Sequence, residues 1–120
     1  MVANYSEEQD LIRRLASICG PDFVSTDPDE RAFFSHDVYR EGATATAVVA
    51  PADADQLAAA VAATTRAGYA VIARGGGMSY TDAYLPICAS TVIIDSRRLD
   101  RILEVNTDDN YVRVQAGCTW

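Results

Sequence analysis

Apolar residues recur at Leu11, Ile12, Leu15 and Ile18, a spacing that places them on one face of a helix. Ser6-Glu7-Glu8-Gln9 stands just before them as a capping box, in which a serine and a glutamine side chain satisfy N–H groups of the first turn. Gly20-Pro21 stops that helix, because glycine suits the backbone just past a helix end and proline cannot extend it. From Pro21 to Gly42 no period holds. The stretch is acidic, and Phe23, Phe33, Phe34 and Tyr39 are its scattered apolar anchors, so residues 1–42 read as a helix followed by a partly helical arm that packs by its aromatic rings.

From Ala43 the pattern becomes regular. Thr46-Ala47-Val48-Val49-Ala50 is a strand closed by Pro51. Asp53 and Gln56 form a second capping box, and Leu57, Ala60, Val61 and Thr64 share one helical face. Gly68 ends this helix, and Tyr69 to Ala73 is a short apolar strand of the kind helices cover. Strand, helix and strand in so few residues predict a βαβ unit with a parallel pair and a right-handed crossover. Thr91 to Asp95 is a further strand. Ile102–Val105 and Tyr111–Gln115 flank a turn at Thr107-Asp108-Asp109-Asn110, the pattern of an antiparallel hairpin. With helices leading and strands trailing, the fold class is α+β with a mixed sheet.

Charge and composition then remove whole classes of chemistry. The chain has 120 residues and a net charge of −7, which argues against nucleic-acid partners that need a basic face. All ten basic residues are arginine, so these residues hold no Walker lysine and no lysine for a Schiff base. Cys19, Cys88 and Cys118 are far apart and His36 is the single histidine, which leaves no zinc set; the cysteines read as small thiols. Met1 to Leu15 is polar and acidic rather than basic then apolar, unlike a signal peptide. No apolar run approaches the roughly 18 residues of a membrane helix, and a cytoplasmic location is expected.

Gly75-Gly76-Gly77-Met78-Ser79-Tyr80, directly after the second strand of the βαβ unit, is the strongest chemical feature. Adjacent glycines let backbone N–H groups converge on an anion with no Cβ in the way. Ser79 adds a hydroxyl, Arg74 could add charge, and a diphosphate is the natural guest. The glycines alone suit a flexible loop or a tight sheet edge equally well. The dinucleotide fingerprint of a Rossmann fold is excluded, since Tyr80 stands where its third glycine belongs and Thr81 to Ala89 carries Pro86 and no helical period. Loop amides, not a helix terminus, would hold the anion. Ser35-His36-Asp37 is no hydrolase triad, because adjacent side chains diverge; local hydrogen bonding explains His36. Asp27-Asp29-Glu30 and Asp108-Asp109 lack the spacing of a calcium loop and read as solvated turns.

Taken in order, Ala47-Val48-Val49-Ala50-Pro51, the capped helix, Val71 to Ser79, Val92-Ile93-Ile94-Asp95 and Val112 to Gly117 resemble the FAD-binding domain (PCMH type) of the vanillyl-alcohol oxidase superfamily. The resemblance runs from about Ala47 to Trp120. The Ser35-His36-Asp37 segment is most similar to the branch of glycolate oxidase flavoprotein subunits and D-lactate dehydrogenases.

The resemblance implies that residues 43–120 are the first subdomain of an FAD-binding domain, incomplete at its C-terminus, and that Gly75, Gly76, Gly77, Met78, Ser79 and Tyr80 form its diphosphate loop. Tyr84 and Leu85 would line the same cofactor. Some relatives join the flavin to a loop histidine, where Met78 stands here, so FAD is expected to be non-covalent at this loop. Asp82 replaces a glycine usual in relatives and is expected to put a repelling carboxylate beside the diphosphate. The implied activity is that of an FAD-linked oxidase or dehydrogenase acting on a hydroxyl-bearing small molecule such as a 2-hydroxy acid. The catalytic residues would lie beyond this segment, which alone is expected to be inactive. A non-catalytic or half-site chain is the alternative.

Overall fold

The computed structural model describes residues 5–119; the start of the Met1–Leu15 stretch and Trp120, at the end of the family resemblance, lie outside them. Helix α1 (Tyr5–Cys19) buries Leu11, Leu15 and Cys19. It already includes Tyr5 and Ser6, so Ser6 sits inside the first turn rather than at the predicted cap. Gly20 ends it as expected, with φ 93° and its N–H donated to Ala16 O at 2.9 Å.

The arm is more ordered than its sequence suggests. A 3₁₀ turn (Pro21–Phe23) leads into strand β1 (Val24–Ser25), then helix α2 (Pro28–Phe34). The acidic cluster here is a helix start, not a solvated turn: the Asp27 carboxylate accepts the N–H groups of Asp29 and Glu30, both at 3.0 Å. Among the four aromatic anchors only Phe34 is buried; Phe23, Phe33 and Tyr39 stay exposed.

Strand β2 (Ala47–Val49), helix α3 (Ala54–Arg66) and strand β3 (Ala70–Arg74) follow the predicted unit. Asp53 caps α3 through Gln56 N at 2.8 Å, and the Gln56 side chain returns to Ala52 N at 2.9 Å. Strand β4 (Thr91–Asp95), fully buried, enters between β2 and β3. The sheet order is therefore β1-β2-β4-β3: β2 and β3 run parallel, as predicted, but each pairs with β4 instead of with the other, and β1 is antiparallel at the edge. A strand with the apolar centre Val92-Ile93-Ile94 takes the middle of the sheet because both of its faces are covered, while β3 is left partly exposed at an edge.

Alternation along the strands divides the core in two. Val49, Val92 and Ile94 face α1 and α3, whereas Val48 and Ile93 face Phe34, with Ile72 packed against them. Strands β5 (Ile102–Asn106) and β6 (Tyr111–Val114) form the expected antiparallel hairpin as a separate two-stranded sheet. The radius of gyration, 15.3 Å, exceeds the roughly 13.6 Å of a compact chain of this length. The carboxyl ends of β3 and β4 lie side by side, with Ser96 N donating to Arg74 O at 3.1 Å. That end carries the glycine loop.

Candidate functional site

Arg74 ends β3 on the same sheet face as Ile72, and there it is buried under the loop that follows it. Its Nη1 donates to the carbonyls of Phe34 at 3.0 Å and His36 at 2.6 Å. The rings of Phe33, Phe34 and Tyr84 surround the guanidinium at 5.7, 5.2 and 4.9 Å from their centroids. Among the described residues no carboxylate pairs with it. Carbonyl oxygens and aromatic faces stabilise a buried cation without cancelling its charge. The positive charge that the sequence reading assigned to Arg74 thus acts from behind the loop.

Gly77 rests on this guanidinium. Its φ is 73°, the left-handed region that glycine enters without strain. A Cβ there would stand 2.5 Å from Arg74 Nη2. The left-handed backbone therefore calls for glycine at 77, and a Cβ there would also displace the Arg74 guanidinium. Gly76 meets nothing within 4 Å and Gly75 only the Ser96 hydroxyl at 4.0 Å, so the first two glycines border open space. The Ser96 Oγ is buried without a hydrogen-bond partner, an unused polar group at the foot of the loop that the sequence reading passed over.

The loop backbone is similarly unspent. The N–H groups of Gly76, Gly77, Met78 and Ser79 have no partner among the described residues. Met78 and Tyr80 are exposed, and Ser79 Oγ lies 2.9 Å from Thr81 Oγ1. All six predicted loop residues are contiguous on one exposed turn. A row of free amides over a buried, unpaired guanidinium fits a diphosphate, and the cradle is one that side chains at 75–77 would fill.

The arm grips the loop from the other side. The Arg40 guanidinium pairs with Asp82 at 3.2 Å, and the rings of Tyr39 and Tyr80 lie 5.6 Å apart. Asp82 is thus not the bare repelling charge expected from the sequence, because Arg40 neutralises it. Its φ of 57° explains why glycine suits the position. Gly42 approaches Pro86 so closely that a Cβ would lie 2.6 Å from the Pro86 oxygen, and Ala43 N donates to that same oxygen at 2.8 Å. Isolated glycines of this kind signal close backbone approach. The sequence reading marked neither Gly42 nor its partner.

Ser35, His36 and Asp37 diverge as predicted. Ser35 Oγ accepts Ala45 N at 3.0 Å, His36 Nδ1 lies 3.2 Å from Ala32 O, and Asp37 Oδ1 accepts Tyr39 N at 2.7 Å and Arg40 N at 2.8 Å. The Tyr39 N–H, aided by that of Arg40, holds the Asp37 carboxyl below its usual range against the opposing pull of burial. Tyr84 is buried behind the loop rather than exposed to a ligand, with its hydroxyl donating to Gly77 O at 2.8 Å. Among the described residues no cluster of His, Cys, Asp and Glu could hold a metal, and no helix is long and apolar enough to cross a membrane.

Residues 45–120 match the family model described as an FAD binding domain. A comparison with curated protein sequences gives no match. Among solved structures, p-cresol methylhydroxylase with substrate bound is similar over 98% of this chain, with a TM-score of 0.83 at 17% identity. The 4-ethylphenol oxidase from Gulosibacter chungangensis, in its isoeugenol complex, is similar over 97%, with a TM-score of 0.83 at 20% identity. Alkyldihydroxyacetonephosphate synthase is similar over 92%, with a TM-score of 0.80 at 21% identity. The chain spans 24%, 23% and 24% of those three structures. At these identities the likeness shows the fold, which is the one the sequence resemblance implied. With more than half of this chain matched by the family model, the chain belongs to the FAD binding domain family.

Proposed function

We propose that this chain supplies the diphosphate cradle of an FAD-dependent oxidoreductase, with Gly75, Gly76, Gly77, Met78, Ser79 and Tyr80 as the cofactor loop. The observation that carries the reading is the row of amides at 76–79, unpaired among the described residues, above the buried Arg74, which has no carboxylate partner among them. FAD, when bound, would supply a flavin able to accept a hydride from a substrate carbon. The residues described here bind and orient. Loop amides and the Ser79 hydroxyl would donate to the diphosphate, Arg74 would add its field, and Ser96 Oγ is available at the loop's foot.

The flavin is bound without a covalent link at this loop, since Met78 offers no nucleophilic nitrogen and His36 bonds within the arm instead. A hydroxyl-bearing substrate such as a 2-hydroxy acid is proposed from the likeness of Ser35-His36-Asp37 to the glycolate oxidase and D-lactate dehydrogenase branch. The names of two structural neighbours point instead to phenols for those proteins.

Acid denaturation of the purified protein containing this chain tests the cofactor. FAD should appear free in the supernatant; flavin retained on a peptide from residues 1–120, or no flavin bound at any concentration, would overturn the respective part. Anaerobic bleaching of the flavin by a panel of 2-hydroxy acids and phenols then reads the substrate class.

A further inference from the structure

A trans peptide unit holds its C=O and N–H pointing in opposite directions. Tyr84 uses this constraint. Its hydroxyl, at the end of a buried ring, donates to Gly77 O at 2.8 Å and draws that carbonyl toward the inside of the loop. The other end of the same peptide unit is the Met78 N–H, which is therefore turned outward, and it has no partner among the described residues. The ring is itself held by stacking on the Arg74 guanidinium, 4.9 Å from its centroid. Without the hydroxyl, the Gly77–Met78 unit could rotate, because Gly77 has access to conformations closed to other residues.

We infer that Tyr84 is a positioning residue for the anion site: it touches no ligand and sets the direction of the Met78 N–H through the Gly77 carbonyl. The inference rests on the cofactor-loop reading above. It assigns Tyr84 a role different from lining the cofactor, and it makes position 84 a determinant of affinity for any diphosphate-bearing nucleotide.

Tyr84→Phe removes one oxygen and keeps the ring that covers Arg74, so the fold is preserved. Three measurements on the wild-type and Tyr84→Phe proteins test the inference. The first is melting temperature, expected to fall by no more than a few degrees, the scale of one hydrogen bond. The second is amide hydrogen exchange, expected to accelerate at Met78 and its loop neighbours while the β4 core keeps its protection. The third is binding of FAD, ADP and riboflavin. FAD and ADP should weaken together by about fivefold, the scale of one hydrogen bond, and riboflavin, which has no phosphate, should be unaffected. Unchanged exchange at Met78 would overturn the inference, and so would faster exchange with equal FAD and ADP affinity. Failure of the wild-type protein to bind FAD or ADP would instead overturn the cofactor-loop reading, and the exchange data would still report whether Tyr84 holds the loop.

Discussion

Gly117 is seated directly against the backbone of Ser96. A Cβ at 117 would collide with the Ser96 carbonyl oxygen and lie 2.7 Å from its carbonyl carbon and 2.9 Å from Arg97 Cα. The contact is sealed by Gly117 N donating to Leu99 O at 2.7 Å. The segment after the hairpin is thereby docked on the turn that leaves β4.

Gly117→Ala should lower stability by about 1–3 kcal/mol, since backbone atoms cannot yield as a flexible side chain does. Gly68→Ala is the contrasting case. With φ at 79° and nothing within 4 Å, it should lose only the conformational cost of roughly 1–2 kcal/mol. Urea unfolding of both variants checks the pair; a stable Gly117→Ala protein would show that this docking is not tight.

Asp82→Gly should leave stability within about 1 kcal/mol of wild type, because relief at φ 57° offsets loss of an exposed ion pair. Removing the carboxylate also frees Arg40 beside the loop. FAD should bind about three- to tenfold tighter at low ionic strength, with the gap closing as salt rises. Equal affinity across the salt series would show that the Arg40 guanidinium, once released from Asp82, does not reach the bound diphosphate.

Asp37 makes part of the stability depend on acid. Its carboxyl is held below the usual range chiefly by the Tyr39 N–H, so its contribution is present above the unfolded-state value. That contribution is lost as pH falls below the ordinary carboxylate range and through the lower folded-state value. Asp37→Asn should be less stable than wild type at neutral pH and should converge with it in strong acid. Unfolding free energies measured from pH 7 down to pH 2 would show the convergence; parallel curves would contradict it.

The thiols should separate by access. Cys88 is exposed, whereas Cys19 is buried in the α1 core and burial pushes its thiol pKa up. Ellman's reagent should modify Cys88 promptly in the native protein and reach Cys19 only with unfolding. Mass spectrometry of partly labelled protein would assign the sites, and early labelling of Cys19 would show that α1 opens readily.

Helix α3 and strand β4 are readable from sequence because their signals are local. A capping carboxylate three residues before its N–H partner and an unbroken apolar run are both set within one short window. The glycine loop is legible for the same reason: three glycines bar a Cβ whatever surrounds them. Strand β1 is different. Its two residues carry no period and become a strand only by pairing with β2, Val24 opposite Val49. The Asp27 cap carries the same local signal as Asp53, a carboxylate three residues before its N–H partner with Pro28 in the first turn, and was missed because the seven helical residues after it show no apolar face.

What residue types offer is read along the chain: ten arginines and no lysine, a run of three glycines with no Cβ to bar an anion, and a family likeness from Ala47 onward. Where the charge and the constraint come from was settled only in three dimensions. Arg74 reaches the Phe34 carbonyl 40 residues away, Arg40 neutralises Asp82 across the loop, and β4 enters between β2 and β3. The Tyr84 hydroxyl finds Gly77 O only because the loop folds back over β3. Periodicity and turn chemistry act over a few residues, whereas these contacts join segments whose separation no local pattern encodes; the sheet must assemble before the arm, the guanidinium and the glycines share one site.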